Sequence, residues 1–451
     1  VAQSGFRPKS MIEPTCGVGA FIQAALETFP GTSYILGHEI NRHYAALART
    51  LATASKNAGT IEIAEGDFFT TDWNKIVDSL PDPLLILGNP PWVTNSGLGT
   101  LKSNNVPEKS NINGVRGIDA LTGGSNFDIS EWMLRKCMAL LDQRDGMLAV
   151  LCKTSVARKV LSYGWEKNYP IESAAIHRIE SQKHFGAAVD ACLLILRMGH
   201  GQTRRECQEF ESLSIPKPSK RFGYRDGRLV ADIDLYEQWK ILLGTGLGGW
   251  RSGVKHDCSK VFELKRKGSG FINGFGESIM VESSVIFPLL KSSDLAAQRT
   301  PHRWILVPQR TMSDDPGRLE HEAPKAWNYL VRYGALLDKR ASSIYRNRHR
   351  FSVFGVGPYS FSPWKVAISG FYKKLVFSCV GPFEDRPILL DDTCYFFPCR
   401  SEKECRLLHE MVQSDPAHGF FFSLIFWDSK RPITAGLLNS LDLGRLGETL
   451  G

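Results

Sequence analysis

A short apolar segment followed by two prolines constrains the fold of this chain more than any other feature. Residues 84–88 read Leu-Leu-Ile-Leu-Gly, a run too short for a helix and typical of a buried parallel strand. Residues 89–92 read Asn-Pro-Pro-Trp, and the prolines end the strand because they cannot continue a hydrogen-bonded ladder. The sequence therefore predicts an open α/β sheet with Asn89 just beyond the carboxyl end of a strand, where ligands bind in such sheets.

The turn at 89–92 carries groups that suit the activation of an amine on a planar base. The exocyclic nitrogen of adenine is a poor nucleophile because its lone pair is delocalised into the ring. Two acceptors, the Asn89 side-chain oxygen and the Pro90 carbonyl, can bind both hydrogens of that nitrogen and localise the lone pair. Trp92 offers a flat face on which a base can stack. The alternative interpretation is a Pro-Pro turn that only ends a strand.

Three acidic positions precede this turn, each at the predicted carboxyl end of a strand. Glu13 is followed by a Gly-rich turn at 14–21 and then by a helical pattern. An acid there repels a pyrophosphate but attracts a cationic amino group, which favours an amino-acid-bearing cofactor over NAD. Glu39 follows the glycines by about twenty residues, where a carboxylate binds ribose hydroxyls. Asp67 can accept from an adenine amino group while Phe68 packs on the ring, although any one acid alone could be a helix cap or a solvated charge.

Together, these sites resemble the motifs of N6-adenine DNA methyltransferases of restriction–modification systems. Their order is that of the gamma arrangement, in which the cofactor motif precedes the catalytic motif and a specificity region follows. The resemblance implies a Rossmann-like methyltransferase sheet of seven strands, the last antiparallel, that uses S-adenosylmethionine. It implies that the cofactor contacts Glu13, Thr15, Gly17, Gly19, Phe21, Glu39, Asp67 and Phe68.

The same resemblance assigns roles around the substrate base. It implies that Asn89, Pro90, Pro91 and Trp92 hold and activate a flipped-out adenine, with Trp92 standing where this family usually has Tyr or Phe. Phe185 lies where the family has an aromatic residue that stacks on the other face of the base. The alternative is a loop phenylalanine folded into the core. Residues 93–126 are rich in Asn, Gly, Ser and Lys, and we expect them to form a functional loop after the catalytic turn.

The positive charge of the chain is concentrated in one stretch. The formal net charge is +8, and residues 331–374 hold nine Lys and Arg residues against the single acid Asp338, which is also +8. Cationic side chains interleaved with aromatic ones suit contacts to phosphates and grooves, whereas the alternative is a solvated basic helix face. We expect double-stranded DNA to be bound by Arg340, Arg346, Arg348, Arg350, Tyr359, Lys365, Lys373 and Lys374.

Composition limits the remaining classes. No apolar run approaches the ~20 residues of a membrane span, and we find no signal peptide, so we expect a cytoplasmic protein without membrane contact. The ten cysteines include no C-x-x-C pair, which argues against a metal site. A length of 451 residues predicts two or three domains.

The predicted organisation is a methyltransferase catalytic domain at 1–205, a linker at 200–222, and a mixed α/β target-recognition domain at 223–451. The family has a segment before the first strand that closes one side of the cofactor pocket. This chain begins nine residues before that strand, so we expect that segment to be missing or supplied by another chain.

The predicted function is site-specific transfer of a methyl group from S-adenosylmethionine to the N6 amine of adenine in DNA. A cognate restriction endonuclease is an expected partner. Two alternatives stay open: a methyltransferase acting on an RNA base or a protein glutamine, and a non-catalytic DNA-specificity protein with a methyltransferase fold.

Overall fold

A computed structural model of the protein describes residues 1–53, 59–92, 128–186, 189–244 and 249–451. The chain divides into two compact units, Val1–Ile233 and Asp234–Gly451. No helix among these described residues is long and apolar enough to cross a membrane.

The first unit contains a mixed sheet with helices between its strands. Its strands are β1 (Ser10–Glu13), β2 (Tyr34–Glu39), β3 (Thr60–Glu65), β4 (Leu84–Gly88), β5 (Gly146–Lys153), β6 (Ile171–Ile179), β7 (Ala191–Met198), β8 (Glu206–Phe210), β9 (Lys220–Arg225) and β10 (Arg228–Val230). Its helices are α1 (Ala20–Thr28), α2 (Arg42–Thr53), α3 (Trp73–Asp78), α4 (Ile129–Leu140), α5 (Thr154–Glu166) and α6 (Ser181–Phe185).

The strand order in this sheet is β10-β9-β8-β6-β7-β5-β4-β1-β2-β3. Strands β3, β2, β1, β4 and β5 are parallel, and β7 pairs antiparallel with both β5 and β6. Because β1 lies between β2 and β4, the order of the strands reverses there, and crevices open at such a reversal at the carboxyl ends of the strands. The expected open α/β sheet of Rossmann-like type is present.

The sheet is larger than the seven strands that we expected. Strand β8 pairs parallel with β6, and β9 and β10 extend the sheet beyond it as an antiparallel hairpin. The segment at 200–222, expected to be a linker, therefore contributes β8 and the start of β9 to the first unit, which ends at Ile233 rather than at 205. The polar residues of this segment suggested a linker because its strands lie near the sheet edge, where alternate residues face solvent.

Burial explains the sequence pattern of the central strands. All four residues of β1 are buried, as are Leu84, Leu85 and Ile86 of β4, because helices cover both faces of a parallel sheet. The core on one face is formed by apolar residues of β1, α1, β2 and α2, including Met11, Ile22 and Ala45. The predicted continuous apolar run at 84–87 thus marks a central strand of the sheet, adjacent to β1.

The second unit is built on two smaller sheets with short helices. Its strands are β11 (Arg251–Ser252), β12 (Glu263–Lys267), β13 (Gly270–Ile272), β14 (Ser278–Ile279), β15 (Ile286–Leu290), β16 (Arg303–Leu306), β17 (Trp364–Ser369), β18 (Phe377–Val380), β19 (Leu389–Leu390) and β20 (Cys394–Cys399). Four strands run in the order β11-β20-β17-β18, and six in the order β14-β13-β12-β16-β15-β19.

Helix α7 (Ile233–Trp239) begins at the boundary between the units. The helices that follow are α8 (Ser259–Phe262), α9 (Ser292–Ala296), α10 (Leu319–Glu322), α11 (Pro324–Arg332), α12 (Gly334–Leu337), α13 (Glu402–Val412), α14 (Asp415–Leu424), α15 (Ala435–Asn439) and α16 (Leu443–Leu450). The α/β mixture expected of this half of the chain is present in the structure.

Candidate active site

A cavity of about 420 Å³ opens in the first unit where the carboxyl ends of β1, β2, β3 and β4 meet. Its lining joins residues that the sequence singled out in four separate motifs. The residues that line it are Pro14, Thr15, Gly17, His38, Glu39, Ile40, Tyr44, Gly66, Asp67, Phe68, Phe69, Asn89, Pro91, Ile129 and Met133. We call this space the strand-end cavity.

Glu39, the last residue of β2, is tied to the backbone on both sides. Its carboxylate accepts the N–H of Gly17 at 2.8 Å through one oxygen and the N–H of Asn41 at 2.8 Å through the other. Glu39 is buried, and the two bonds fix the Gly-rich turn after β1 against the start of α2. Each carboxylate oxygen still has a lone pair for a ligand, because an ionised carboxylate offers about four acceptor sites.

Glu13, the last residue of β1, is the most deeply buried acid near the cavity, with 2% of its surface exposed. Burial raises the pKa of Glu13 to about 9, against a smaller lowering by the backbone N–H of Ile22, and the charge of Glu39 raises it further. One carboxylate oxygen, Oε2, has no hydrogen-bond partner among the residues that the structure describes. A buried acid of this kind is stabilised in its ionised form when a cation comes close.

Asp67 and Phe68 follow β3 and have different environments. Asp67 Oδ1 accepts the N–H of Phe69 at 2.9 Å, and the Asp67 carbonyl accepts the hydroxyl of Thr71 at 2.7 Å. Phe68 is 5% exposed and packs on Trp73, with ring centroids 5.2 Å apart. Phe68 is thus mainly a core residue with an edge at the cavity, whereas Asp67 is fixed in a turn at its rim.

The structure adds apolar and aromatic groups that the sequence reasoning missed. Ile40 and Tyr44 line the cavity with 50% and 46% of their surfaces exposed, which is unusual for side chains of this size. Ile40 directly follows Glu39, so an apolar residue after a strand-ending acid was a usable signal. Ile129 and Met133 come from α4, far along the chain, and no sequence pattern near the motifs pointed to them.

His38 is a further lining residue that the sequence reasoning passed over. Its Nε2 lies 3.0 Å from the hydroxyl of Thr71, and its ring packs on Trp73 at 4.9 Å. Burial lowers the pKa of His38, so the imidazole is neutral at neutral pH. These contacts hold it as part of the wall between β2 and β3.

The residues of the turn after β4 differ in their burial and in their contact with the cavity. Asn89 and Pro91 are exposed and line the strand-end cavity, whereas Pro90 is buried. Gly88 has a φ of 142°, and a Cβ there would lie 3.3 Å from Glu13 Cγ, so glycine is required for the close approach of β4 to this acid. Asn89 is therefore presented by a constrained backbone.

Trp92 is anchored by contacts to β5. Its indole N–H donates to the carbonyl of Leu151 at 3.4 Å, and its own carbonyl accepts the ammonium of Lys153 at 3.3 Å. The same ammonium pairs with Asp128 at 2.5 Å, and Asp128 caps α4 through the N–H of Ser130. Lys153 thus holds both ends of the segment 93–127, which lies outside the described residues together with the loop expected there.

Several predicted site residues do not line the strand-end cavity. Glu13, Pro90 and Trp92 lie behind or beside its lining. Gly19 begins α1 with a φ of 91°, and a Cβ there would lie 3.3 Å from that of Ala48, so its small size serves the packing of α1 on α2. Phe21 is half-buried in α1 and is also absent from the lining. The backbone of Phe185 ends α6, and its side chain lies outside the described part of the chain.

Two of the cations predicted to bind DNA are used inside the second unit. Lys365 is a correction: it is 1% exposed, its ammonium donates to the Ser362 carbonyl at 2.6 Å, and burial lowers its pKa to about 7. The guanidinium of Arg340 donates to the carbonyls of Ser352 at 2.7 Å and His256 at 3.2 Å. Burial keeps Lys365 from a phosphate, and the half-buried Arg340 already uses Nε and Nη1 on backbone carbonyls.

The other predicted DNA contacts differ in how far they are available. Arg350 is exposed but binds Asp338 with both Nε and Nη2, at 3.2 and 2.8 Å. Tyr359 is half-buried, with the guanidinium of Arg251 5.2 Å from its ring centroid. Four cations are exposed and pair with no carboxylate among the described residues: Arg346, Arg348, Lys373 and Lys374.

Comparison with known proteins gives the family. No protein-family model matches the chain. The chain is 41% identical over 453 residues to the type II methyltransferase M.NspV of Nostoc sp., an alignment covering all of this chain and 94% of the relative. A second relative, the type II methyltransferase M.CvrRI of Paramecium bursaria Chlorella virus XZ-6E, is 40% identical over 89 residues, or 20% of each chain.

A solved structure has the same fold over nearly the whole chain. The type IIL restriction–modification enzyme MmeI, determined in complex with DNA, superimposes with a TM-score of 0.58 at 14% identity. The match covers 96% of this chain and 61% of MmeI. With the 41% identity to a type II methyltransferase over its full length, this chain belongs to the type II methyltransferases, the S-adenosylmethionine-dependent DNA methyltransferases of restriction–modification systems.

Proposed function

We propose that this methyltransferase modifies the N6 amine of an adenine that is flipped out of the DNA duplex. The observation that carries the proposal is that Asn89 lines the same cavity as Glu39 and Asp67. One cavity therefore combines acceptors for a nucleoside cofactor with an acceptor for the reacting amine. Bound S-adenosylmethionine supplies an electrophilic methyl group on a sulfonium.

The residues of the strand-end cavity fit this cofactor. The free lone pairs of Glu39 suit ribose hydroxyls, and Asp67 suits the amino group of the cofactor's adenine. Ile40 and Tyr44 offer exposed apolar surface on which the adenine ring can pack. The buried carboxylate of Glu13, with its unpaired Oε2, gives a reason for a cationic ammonium to be drawn toward β1.

The turn after β4 provides for the substrate amine. Asn89 Oδ1 and the Pro90 carbonyl can each accept one hydrogen of the amine and direct its lone pair toward the methyl group. Asn89 is a neutral amide, so it holds the hydrogen without removing it. After methyl transfer the nitrogen carries a positive charge, and its extra proton passes to water. Trp92, whose ring is anchored to Leu151, would stack on the base.

We propose that the second unit, with the region at 223–451, recognises the DNA target. Among the described cations, Arg346, Arg348, Lys373 and Lys374 are exposed and free of acidic partners, and these are the groups we assign to phosphates. A restriction endonuclease of the same specificity is the partner that we infer for the cell.

The experiment measures cofactor binding first and the chemistry second. Calorimetry with S-adenosylmethionine tests the strand-end cavity without DNA. Incubation with tritiated cofactor and plasmid, followed by digestion to nucleosides and mass spectrometry, identifies the methylated base. We expect N6-methyladenine. Methylation of cytosine instead would contradict the assignment of the base, and cofactor binding without any transfer would support a non-catalytic specificity protein.

A further inference from the structure

The connection between β17 and β18 presents aromatic and cationic side chains together. Residues 369–377 read Ser-Gly-Phe-Tyr-Lys-Lys-Leu-Val-Phe and contain no acid. Phe371 and Tyr372 have 38% and 45% of their surfaces exposed, and Lys373 and Lys374 are exposed beside them. Adjacent aromatic rings left in water are costly unless a partner covers them, and cations at the edge of such a patch indicate what the partner carries.

The backbone of this connection is held in place. The N–H of Gly370 donates to the Thr393 carbonyl at 2.9 Å, and the N–H groups of Phe371 and Tyr372 donate to Ser369 Oγ at 3.2 and 3.3 Å. Leu375, on the far side of the connection, is 7% exposed and belongs to the core of the unit. The fold thus fixes the backbone that carries the two exposed rings.

The charges around the rings are mostly positive. The guanidinium of Arg431 lies 4.6 Å from the ring centroid of Phe371 and donates to the Asp392 carbonyl at 3.0 Å. Lys430 next to it is exposed. With Lys373 and Lys374 there are four cations, against the partly exposed acids Asp392 and Asp428 and the buried Asp391 in the adjoining segments, which leaves a formal net charge of +1. A polyanion is therefore a better partner for this surface than a neutral or cationic molecule.

Another exposed aromatic residue of this unit differs from Phe371 and Tyr372 because its ring is already stacked. Phe275 is 43% exposed, and it is already stacked on Tyr333, with ring centroids 5.3 Å apart and planes 2° from parallel. Its cation, Lys260, lies 5.3 Å from the ring. Among the described residues, neither Phe371 nor Tyr372 has an aromatic ring stacked on it. One face of Phe371 is covered by Arg431, and the exposed parts of the two rings remain available to bases.

We propose that this hairpin tip, residues 370–376, contacts duplex DNA, with Lys373 and Lys374 on phosphates and Phe371 and Tyr372 stacked against bases at a locally opened step. Aromatic side chains inserted at a base step unstack it and bend the duplex. The inference rests on the proposed function, since it assigns an additional contact to the same DNA substrate. Its aromatic residues were not among the contacts predicted from sequence.

The test compares variants in duplex binding. Phe371→Ala with Tyr372→Ala should weaken binding at least about fivefold, since stacking of one base on an aromatic ring accounts for that much or more. The dependence of log K on log salt should keep its slope, because no charge is removed. Lys373→Gln with Lys374→Gln should flatten that slope by up to about 1.8 units. Phe275→Ala is the matched control and should bind like the wild type.

A second measurement does not depend on any variant. A duplex substituted with iodouracil is irradiated with the wild-type protein, and the cross-linked peptide is identified by mass spectrometry. We expect cross-links at Phe371 or Tyr372. Cross-links elsewhere only, or wild-type affinity in the double aromatic variant while the wild type methylates DNA, would overturn the inference and leave the proposed function standing.

Two further results separate the two proposals. An equal loss in Phe275→Ala would show a general effect of exposed aromatic rings and would overturn the inference alone. If the wild type binds S-adenosylmethionine but neither binds nor methylates duplex DNA, the proposed function fails and the hairpin contact fails with it.

Discussion

The strand-end cavity and the basic stretch at 331–374 handle charge in opposite ways. Around the cavity the acids are few, and each is fixed by backbone contacts, as Glu39 is by the N–H groups of Gly17 and Asn41. In the basic stretch the cations are many, and their environments range from the buried Lys365 to the exposed Arg346. The difference shows that the position of a residue in the topology predicts its use better than its abundance does.

Topology predicts the use of a residue because it limits the number of environments that the residue can occupy. A residue at the carboxyl end of a parallel strand has its position set by the ladder, so neighbouring strand ends converge. A cation in a long stretch of irregular structure can face solvent, pair with an acid or bind a carbonyl, as Arg350 and Arg340 do. Composition alone does not distinguish these outcomes.

The largest expected effect tests the catalytic side of this comparison. Asn89→Ala should lower turnover by roughly 10²–10³, because one preorganised hydrogen-bond acceptor at the reacting amine is lost. Asn89 is exposed, so folding and cofactor affinity should be unchanged. The measurement is tritium transfer to plasmid beside calorimetry with the cofactor. More than half of the wild-type rate would contradict the role of this turn.

The next effect concerns the acids that the strands position. Glu39→Gln and Asp67→Asn should each weaken S-adenosylmethionine binding about fivefold or more, because each replaces a charge-assisted hydrogen bond by a neutral one that is weaker by ~1–1.5 kcal/mol. Glu65, which pairs in register with Glu39 but is exposed and outside the cavity lining, provides the control Glu65→Gln. Calorimetry checks all three. Equal affinities would mean that the cofactor binds elsewhere.

The third effect sorts the cations of the basic stretch. Arg346→Gln with Arg348→Gln should flatten the salt dependence of duplex binding by up to about 1.8 units, or about 12-fold in affinity over a fourfold change in salt. Arg340→Gln should leave the slope unchanged and lower the stability of the unit, since it withdraws a donor from two backbone carbonyls. Fluorescence anisotropy at several salt concentrations measures the slope. Equal slopes in all variants would mean that these arginines do not meet phosphates.

The fourth effect concerns Glu13, the buried acid of the first unit, and the pH dependence of stability in the absence of cofactor. The pKa of Glu13 is about 9 in the folded protein and 4.5 ordinarily, so the folded state holds an extra proton between these values. The stabilisation is complete below pH 4.5 and is lost as pH rises toward 9, by up to about 1.4 kcal/mol per pH unit. Glu13→Gln should remove this fall. Urea unfolding at pH 6 and pH 8 tests it, and parallel profiles would contradict the raised pKa.

The smallest effect is the opposite dependence of stability on pH, which Lys365 produces in the second unit. Burial lowers the pKa of Lys365 from 10.5 to about 7, so stability is present above pH 10.5 and is lost as pH falls through 7. Lys365→Met should therefore weaken the rise of stability with pH in that window. Its duplex affinity and salt slope should match the wild type. A flattened dependence of log K on log salt in this variant would mean that Lys365 does contact DNA phosphates.

Much of the fold was predictable from sequence because local patterns and topology agree there. The apolar run at 84–87 and the acids at 13, 39 and 67 mark strands whose ends the structure brings to one cavity. The strands β8 to β10 were not predictable, since edge strands are short and polar and resemble a linker. Ile129 and Met133 reach the cavity through tertiary packing of α4, which leaves no mark near the motifs.

The contacts of Lys153 have a consequence for how such chains can vary. Its ammonium binds both the carbonyl of Trp92 and the carboxylate of Asp128, so residues 93–127 leave and rejoin the scaffold at a single point. Once the ends of a connection are fixed, doubling its length costs only about 0.6 kcal/mol. The free energy of closing this connection therefore sets little limit on its length, and any limit has to come from the function of the segment.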